Sequence, residues 1–155
     1  MTRNYLLISP GRNEAQYMRQ TLDTVIAQTI RPAAWVIVDD GSDRGRRAVG
    51  PGVIEAFYAG FETVRPQDYD YLCKLDLDLN LPPTYFEGLM TRMAADPRIA
   101  TCSGKAYIWE HGELVNERHG DETSIGATKF YRMSSFLALG GFVRQVMWDG
   151  IDGHR

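Results

Sequence analysis

The sequence predicts an α/β fold: an open, mostly parallel sheet flanked by helices in a single domain. Three observations predict it. Short apolar runs of strand length alternate with segments of helical periodicity. Acidic pairs stand where two of those runs end, at 39–40 and at 76 and 78. The 155 residues, 44% of them hydrophobic, suffice for one domain with a real core.

Each element follows in order. YLLIS at 5–9 is a short apolar run closed by Pro10 and Gly11, a first buried strand. Asn13 and Glu14 open a helix over roughly 14–29, with Met18, Leu22, Val25 and Ile26 at helical spacing. Thr29 and Pro32 end it. AWVIV at 34–38 is a second strand, running into Asp39, Asp40, Gly41 and Ser42. A strand–helix–strand unit with buried strands implies parallel pairing. Residues 42–52, rich in Gly and Arg, read as a loop, and 52–64 as a helix. YDYLCKLDLD at 69–78 is a strand ending in aspartates. Pro82 and Pro83 start a helix over about 83–95, with Tyr85, Phe86, Leu89, Met90 and Met93 apolar. IATCSGKAYIW at 99–109 reads as a strand bending at Gly104, and 110–126 as a polar loop. KFYRMSSFLALGGF at 129–142 carries a short strand, a helical turn and a double glycine.

Composition excludes several classes. A net charge of −3 offers no basic field, so no nucleic-acid partner is expected. Cys73 and Cys102 lack metal-type spacing and sit in apolar runs, so buried free thiols are expected rather than a disulfide. No stretch approaches the roughly 20 apolar residues of a membrane span, and the first apolar run is too short for a signal peptide. The expected location is cytoplasmic, and peripheral association with the inner face of a membrane is compatible with it.

The segment KLDLDLNLPP, 74–83, bears most directly on function. Alternate residues of a strand share a side, so Lys74, Asp76 and Asp78 would line one face and Leu75, Leu77 and Leu79 the other. Two carboxylates on one face repel, which raises one pKa or calls for a cation. Two readings stand side by side: an exposed strand face with Lys74 as the partner, or a cation site. Both acidic groups fall at carboxyl ends of strands, where open parallel sheets bind ligands.

Several separated motifs together resemble family 2 glycosyltransferases, which have the Rossmann-like GT-A fold. ISPGRNEAQYMRQTLDTVIAQTIRPAAWVIVDDGS is similar to their opening, KLDLDLNLPPTYF to their D-x-D metal motif with a proline-started helix, and FLALGGF followed by WDGID to the Gly-Gly turn and acidic segment that carries their catalytic base. The match runs in order over most of the chain. Two departures stand out. The family places an extra helix and strand after its Asp-Asp-Gly-Ser turn, where about ten residues separate Ser42 from Gly52 here. The family also continues past its acidic motif, whereas this chain ends three residues after Asp152. Two readings follow: either this segment is contracted here, or a stretch near 43–44 and a C-terminal continuation are missing from the chain.

The resemblance implies roles. Asp78 would be the main ligand of Mg²⁺ or Mn²⁺, with Asp76 beside it or on the ribose. Asp40 would hydrogen-bond the base or ribose, and Asp39 would be structural. Pro10, Arg12 and Glu14 would wall the nucleotide, although an acid at Glu14 also suits a helix N-terminus. Asp149 would be the general base, with Asp152 orienting or replacing it. Lys105 is placed near a phosphate. Arg44, Arg46 and Arg47 form a basic cluster that suits either a diphosphate clamp or a solvated loop. His111, His119 and His154 are read as surface residues. Trp109 and Trp148 are read as core or rim residues, Trp148 being the better stacking candidate.

The resemblance thus implies an inverting, metal-dependent transfer of a hexosyl group from a UDP- or GDP-sugar to a hydroxyl on a glycan or lipid-linked acceptor, in surface polysaccharide or glycolipid synthesis. Residues 1–80 would form the nucleotide-binding part and 81–155 the acceptor part. A sugar nucleotidyltransferase is the rival enzyme, but ISPGRNE lacks its Gly-rich basic loop. A nucleotide-sugar binding module without turnover is the non-enzyme rival.

Overall fold

The computed structural model describes residues 3–39, 41, 51–117 and 124–142. Its seven strands are β1 (Tyr5–Gly11), β2 (Ala34–Asp39), β3 (Tyr71–Leu75), β4 (Thr101–Cys102), β5 (Tyr107–Glu110), β6 (Glu113–Asn116) and β7 (Thr128–Arg132). The α-helices are α1 (Ala15–Ile26), α2 (Pro51–Phe61), α3 (Tyr85–Ala95) and α4 (Met133–Ala138). The main sheet has the order β2-β1-β3-β7-β4. β1 pairs in parallel with β2 and β3, and β7 runs antiparallel to both β3 and β4. Four strands thus point one way and β7 opposes them.

Helices cover both faces. Tyr5, Leu7, Cys73 and Phe130 meet Val25 of α1 and Phe86, Leu89, Met90 and Met93 of α3. Leu6, Ile8, Leu72 and Tyr131 meet Ile54 and Phe57 of α2 and Met133 and Phe136 of α4. The second cluster is largely aromatic: Phe57, Phe136 and Phe142 pack edge to face at 4.8–6.0 Å. Among the described residues no helix is long and apolar enough to cross a membrane.

Four expectations are corrected. The strand expected over 69–78 stops at Leu75, so Asp76 and Asp78 leave the sheet and occupy the following turn. Lys74 does not line an exposed face; it is 4% exposed, because its side of the sheet lies under the α2–α4 layer. The bending strand 99–109 is two strands in different sheets, broken at 103–106. The loop expected over 110–126 contains β6, which pairs with β5 as a hairpin. His111 and Gly112 form its turn with φ of 51° and 83°, the geometry that suits the twist of a two-residue hairpin. On that ribbon Trp109 is 72% exposed and is not a core residue.

In α1 the apolar pattern is also only partly used. Val25 is buried, but Ile26 is exposed, and a polar residue, Thr21, is fully buried on the inner stripe. The cysteines are both free, Cys73 buried and Cys102 partly so. Burial raises the Cys73 thiol and pushes that of Cys102 up to about 11.

Candidate active site

The carboxyl ends of β1, β2, β3 and β4 share one edge of the sheet, and β1 lies between β2 and β3, so the order of strands reverses there. Ligands of open α/β sheets bind at such a switch point. Pro10 and Gly11 end β1 opposite Val38 and Asp39. Arg12 and Asn13 then turn the chain into α1. Asn13 has φ of 54°, a left-handed conformation that asparagine tolerates better than most residues. Glu14 is the N-cap residue, its carbonyl accepting from the N–H groups of Tyr17 and Met18. The Nε of Arg12 is buried and has no hydrogen-bond partner among the described residues, an arrangement that costs free energy unless a ligand supplies an acceptor.

Across the switch point stands the turn 76–79, held at four places. Lys74 Nζ donates to a carboxylate oxygen of Asp76 and, at 3.2 Å, to the carbonyl of Gly126. The Asp76 N–H donates to the Ala127 carbonyl at 2.8 Å. Leu77 is 2% exposed and lies against Gly11, where an added Cβ would sit 2.7 Å from its Cδ1. The middle residue of Asp-Leu-Asp is therefore the anchor, and Gly11 is needed for its close approach. Finally, Thr21 Oγ1 donates to the Leu79 carbonyl at 2.8 Å and accepts from the Leu79 N–H at 2.9 Å. A helix side chain thus replaces a strand partner for Leu79.

Thr21→Val is expected to leave both Leu79 groups without that partner and to cost about 2–4 kcal/mol, since Leu79 is only half-buried and each group falls in the lower part of the roughly 1–3 kcal/mol range for a buried unsatisfied group. Thr21→Ser, which keeps the hydroxyl, should retain most of the stability. Urea unfolding of both variants checks this, and equal midpoints would remove the role of the hydroxyl.

Asp76 is about one-third exposed, and Asp78 is exposed and in none of the ion pairs among the described residues. No group of three or more His, Cys, Asp or Glu side chains among the described residues forms a cage for an ion. Two carboxylates at a sheet edge still fit a hard cation that takes its remaining oxygens from substrate phosphates.

Lys105 is exposed in the segment between β4 and β5. That segment is tied down by Tyr85, whose hydroxyl accepts from the Gly104 N–H at 2.8 Å and lies 2.8 Å from Thr128 Oγ1. Burial pushes the Tyr85 phenol up to about 12, so it stays protonated. Asp40, Asp149 and Asp152 lie outside the described residues, as do Arg44, Arg46, Arg47, His119, Trp148 and His154. The structure therefore brings Pro10, Arg12, Glu14, Asp76 and Asp78 to one edge, with Lys105 following β4 at that same edge.

Two motif residues prove structural. Gln28, 5% exposed, donates to the carbonyls of Thr24 and Pro82 and accepts from the Phe86 N–H, joining α1 to the start of α3. Thr29 bonds Glu87 of α3 at 2.7 Å. Residues overlooked in the sequence are Thr21, Tyr58, whose hydroxyl accepts from the Phe142 N–H, and Tyr85 as a hydrogen-bonding group. Lys74 does partner an aspartate, as one of the two readings of KLDLDLNLPP has it, but from a buried position. The available signal at Thr21 is a polar side chain on an otherwise apolar stripe.

The architecture is that of an open α/β domain whose strand order reverses at β1, and comparison with solved structures finds the same fold elsewhere. The chain matches S. aureus TarS 1–349 in complex with UDP, with TM-score 0.66, 13% identity, and coverage of 97% of this chain and 54% of that one. It matches the mannosyltransferase PcManGT from Pyrobaculum calidifontis in complex with GDP-Man and Mn²⁺, with TM-score 0.59, 19% identity, and coverage of 97% and 50%. The likeness is one of fold, and the chain spans about half the length of these structures. No protein-family model and no curated protein sequence matches the chain.

Proposed function

We propose that this chain carries the donor-binding core of a glycosyltransferase that moves a sugar from a nucleoside-diphosphate sugar to a hydroxyl acceptor with inversion. The observation that carries the reading is the Asp76–Leu77–Asp78 turn, pinned at four points beside Arg12 at the switch point of the sheet. The neighbours in complex with UDP and with GDP-Man and Mn²⁺ support the same reading.

Asp78, with Asp76 beside it, would hold Mg²⁺ or Mn²⁺. When bound, such an ion neutralises the charge that gathers on the departing diphosphate. Arg12 binds the nucleotide part, its buried Nε finding an acceptor there, and Pro10, Glu14 and Asp40 complete that wall. Lys105 reaches the phosphates. Asp149 takes the proton from the acceptor hydroxyl as its oxygen attacks the anomeric carbon, and the bond from that carbon to the diphosphate oxygen breaks. One displacement inverts the configuration. Asp152 orients Asp149. On this reading residues 1–80 hold the donor and 81–155 face a glycan or lipid-linked acceptor, with cell-surface polysaccharide or glycolipid synthesis as the setting.

The test is calorimetric titration of UDP and of GDP into the chain, with Mn²⁺ or with chelator. Metal-dependent binding of one nucleotide is expected, and no binding of either would overturn the reading. Asp149→Asn is expected to leave nucleotide affinity within about twofold while lowering transfer by about a hundredfold or more, the size of a general-base contribution. Retained turnover would move the base elsewhere.

A further inference from the structure

The pair Lys74–Asp76 has a consequence for how a cation enters this site. Lys74 is 4% exposed, so its ammonium is withdrawn from water and faces the first carboxylate of the Asp76–Asp78 turn at hydrogen-bond range. Its geometry is fixed by a second acceptor, the Gly126 carbonyl, in the segment leading to β7. Lys129, fully buried, stands directly opposite Lys74 in the antiparallel register of β3 and β7. Directly opposite residues share a face of the sheet, so Lys129 lies on the same covered face as Lys74. The Lys74 ammonium is bonded to Asp76 and offsets charge at that one of the two carboxylates. A divalent cation therefore meets one Asp76 oxygen already engaged and positive charge behind it, which a dry setting screens poorly.

We propose that Lys74 makes cation binding at Asp76 and Asp78 conditional on the diphosphate. The ammonium stands in for the missing cation and holds the turn in shape while the site is empty. It also keeps the two carboxylates too weak a pair to capture Mn²⁺ alone. The diphosphate adds the negative charge and oxygen ligands that tip the balance, so metal and nucleotide bind with positive coupling. This rests on the donor-binding reading above. Lys74 acts here as a positioning residue, through Asp76.

The experiment follows free Mn²⁺ by electron paramagnetic resonance in the whole chain, alone and with UDP or GDP. For the unaltered chain, weak Mn²⁺ binding that one nucleotide tightens by about tenfold or more is expected, within the usual range of coupling. Lys74→Met is expected to raise affinity for Mn²⁺ alone by about fivefold or more and to shrink the nucleotide's enhancement to the same extent. Lys74→Arg, which keeps the charge, should keep the coupling. A merely structural role would lower Mn²⁺ affinity in Lys74→Met both with and without nucleotide, and that result, or an unchanged enhancement, overturns the proposal. If Lys74→Met loses its circular dichroism, Lys74→Gln removes the charge while keeping a donor, and the same outcomes apply. Absence of Mn²⁺ binding to the unaltered chain with either nucleotide would instead sink the donor-binding reading. Normal coupling there with no change in the variants sinks only the role of Lys74.

Discussion

Replacing Asp78 with alanine is expected to abolish the metal dependence of nucleotide binding. Affinity for UDP or GDP in Mn²⁺ should fall by about a hundredfold, to the level seen with chelator, since a bound cation contributes several kcal/mol at a phosphate. The fold should not suffer. Asp78 is exposed and outside the ion pairs of the described residues, and such surface changes stay within about 0.5 kcal/mol. The lost affinity can then be read as chemistry rather than unfolding. Calorimetry with and without Mn²⁺ decides it, and Mn²⁺-stimulated affinity that survives the substitution would remove Asp78 as a ligand.

The largest expected effect on stability is that of Gly141→Ala. Gly141 has φ of 83°, and a Cβ there would lie 2.1 Å from the Tyr58 hydroxyl and 3.5 Å from Phe136 Cζ. That hydroxyl accepts from the Phe142 N–H at 2.7 Å, fastening the double-glycine turn to α2. Alanine must therefore take up a left-handed conformation, at about 1–2 kcal/mol, and displace the tyrosine from a packed aromatic cluster, at about 1–3 kcal/mol. A total of roughly 2–5 kcal/mol should appear in the urea midpoint. Gly140 provides the comparison: its φ is 80° but a Cβ there meets nothing within 4 Å, so Gly140→Ala should cost only the conformational part. Equal losses in the two variants would show that the Tyr58 contact contributes nothing.

Much of the architecture was legible in the chain itself. YLLIS, AWVIV and YLCKL are apolar runs of strand length between helical patterns, and each became a strand of the parallel part of the sheet. The placement of acids at strand ends followed from the same reading, because charges interrupt a buried strand where it reaches solvent. The limits were also physical. Alternation in KLDLDL looks the same whether a strand continues or ends, and it was the pairing with β7, from Leu75 opposite Thr128, that ended it. The β5–β6 ribbon was hidden because its turn, His111-Gly112, lacks the usual Asn-Gly or Asp-Gly signal, and exposed strands carry no clear apolar face.

By itself, then, the sequence determined the class of fold, the order of its elements as far as α3, and the concentration of carboxylates at one edge, since these depend on local periodicity and composition. Only the tertiary structure decided that Lys74 is buried against Asp76, that Leu77 rests on Gly11, and that Thr21 completes the hydrogen bonds of Leu79. Each of these joins residues far apart in the chain or depends on which helix covers which face of the sheet. A polar side chain is read as exposed until the layer that buries it is in place, and that layer is a property of the packed sheet rather than of any one segment.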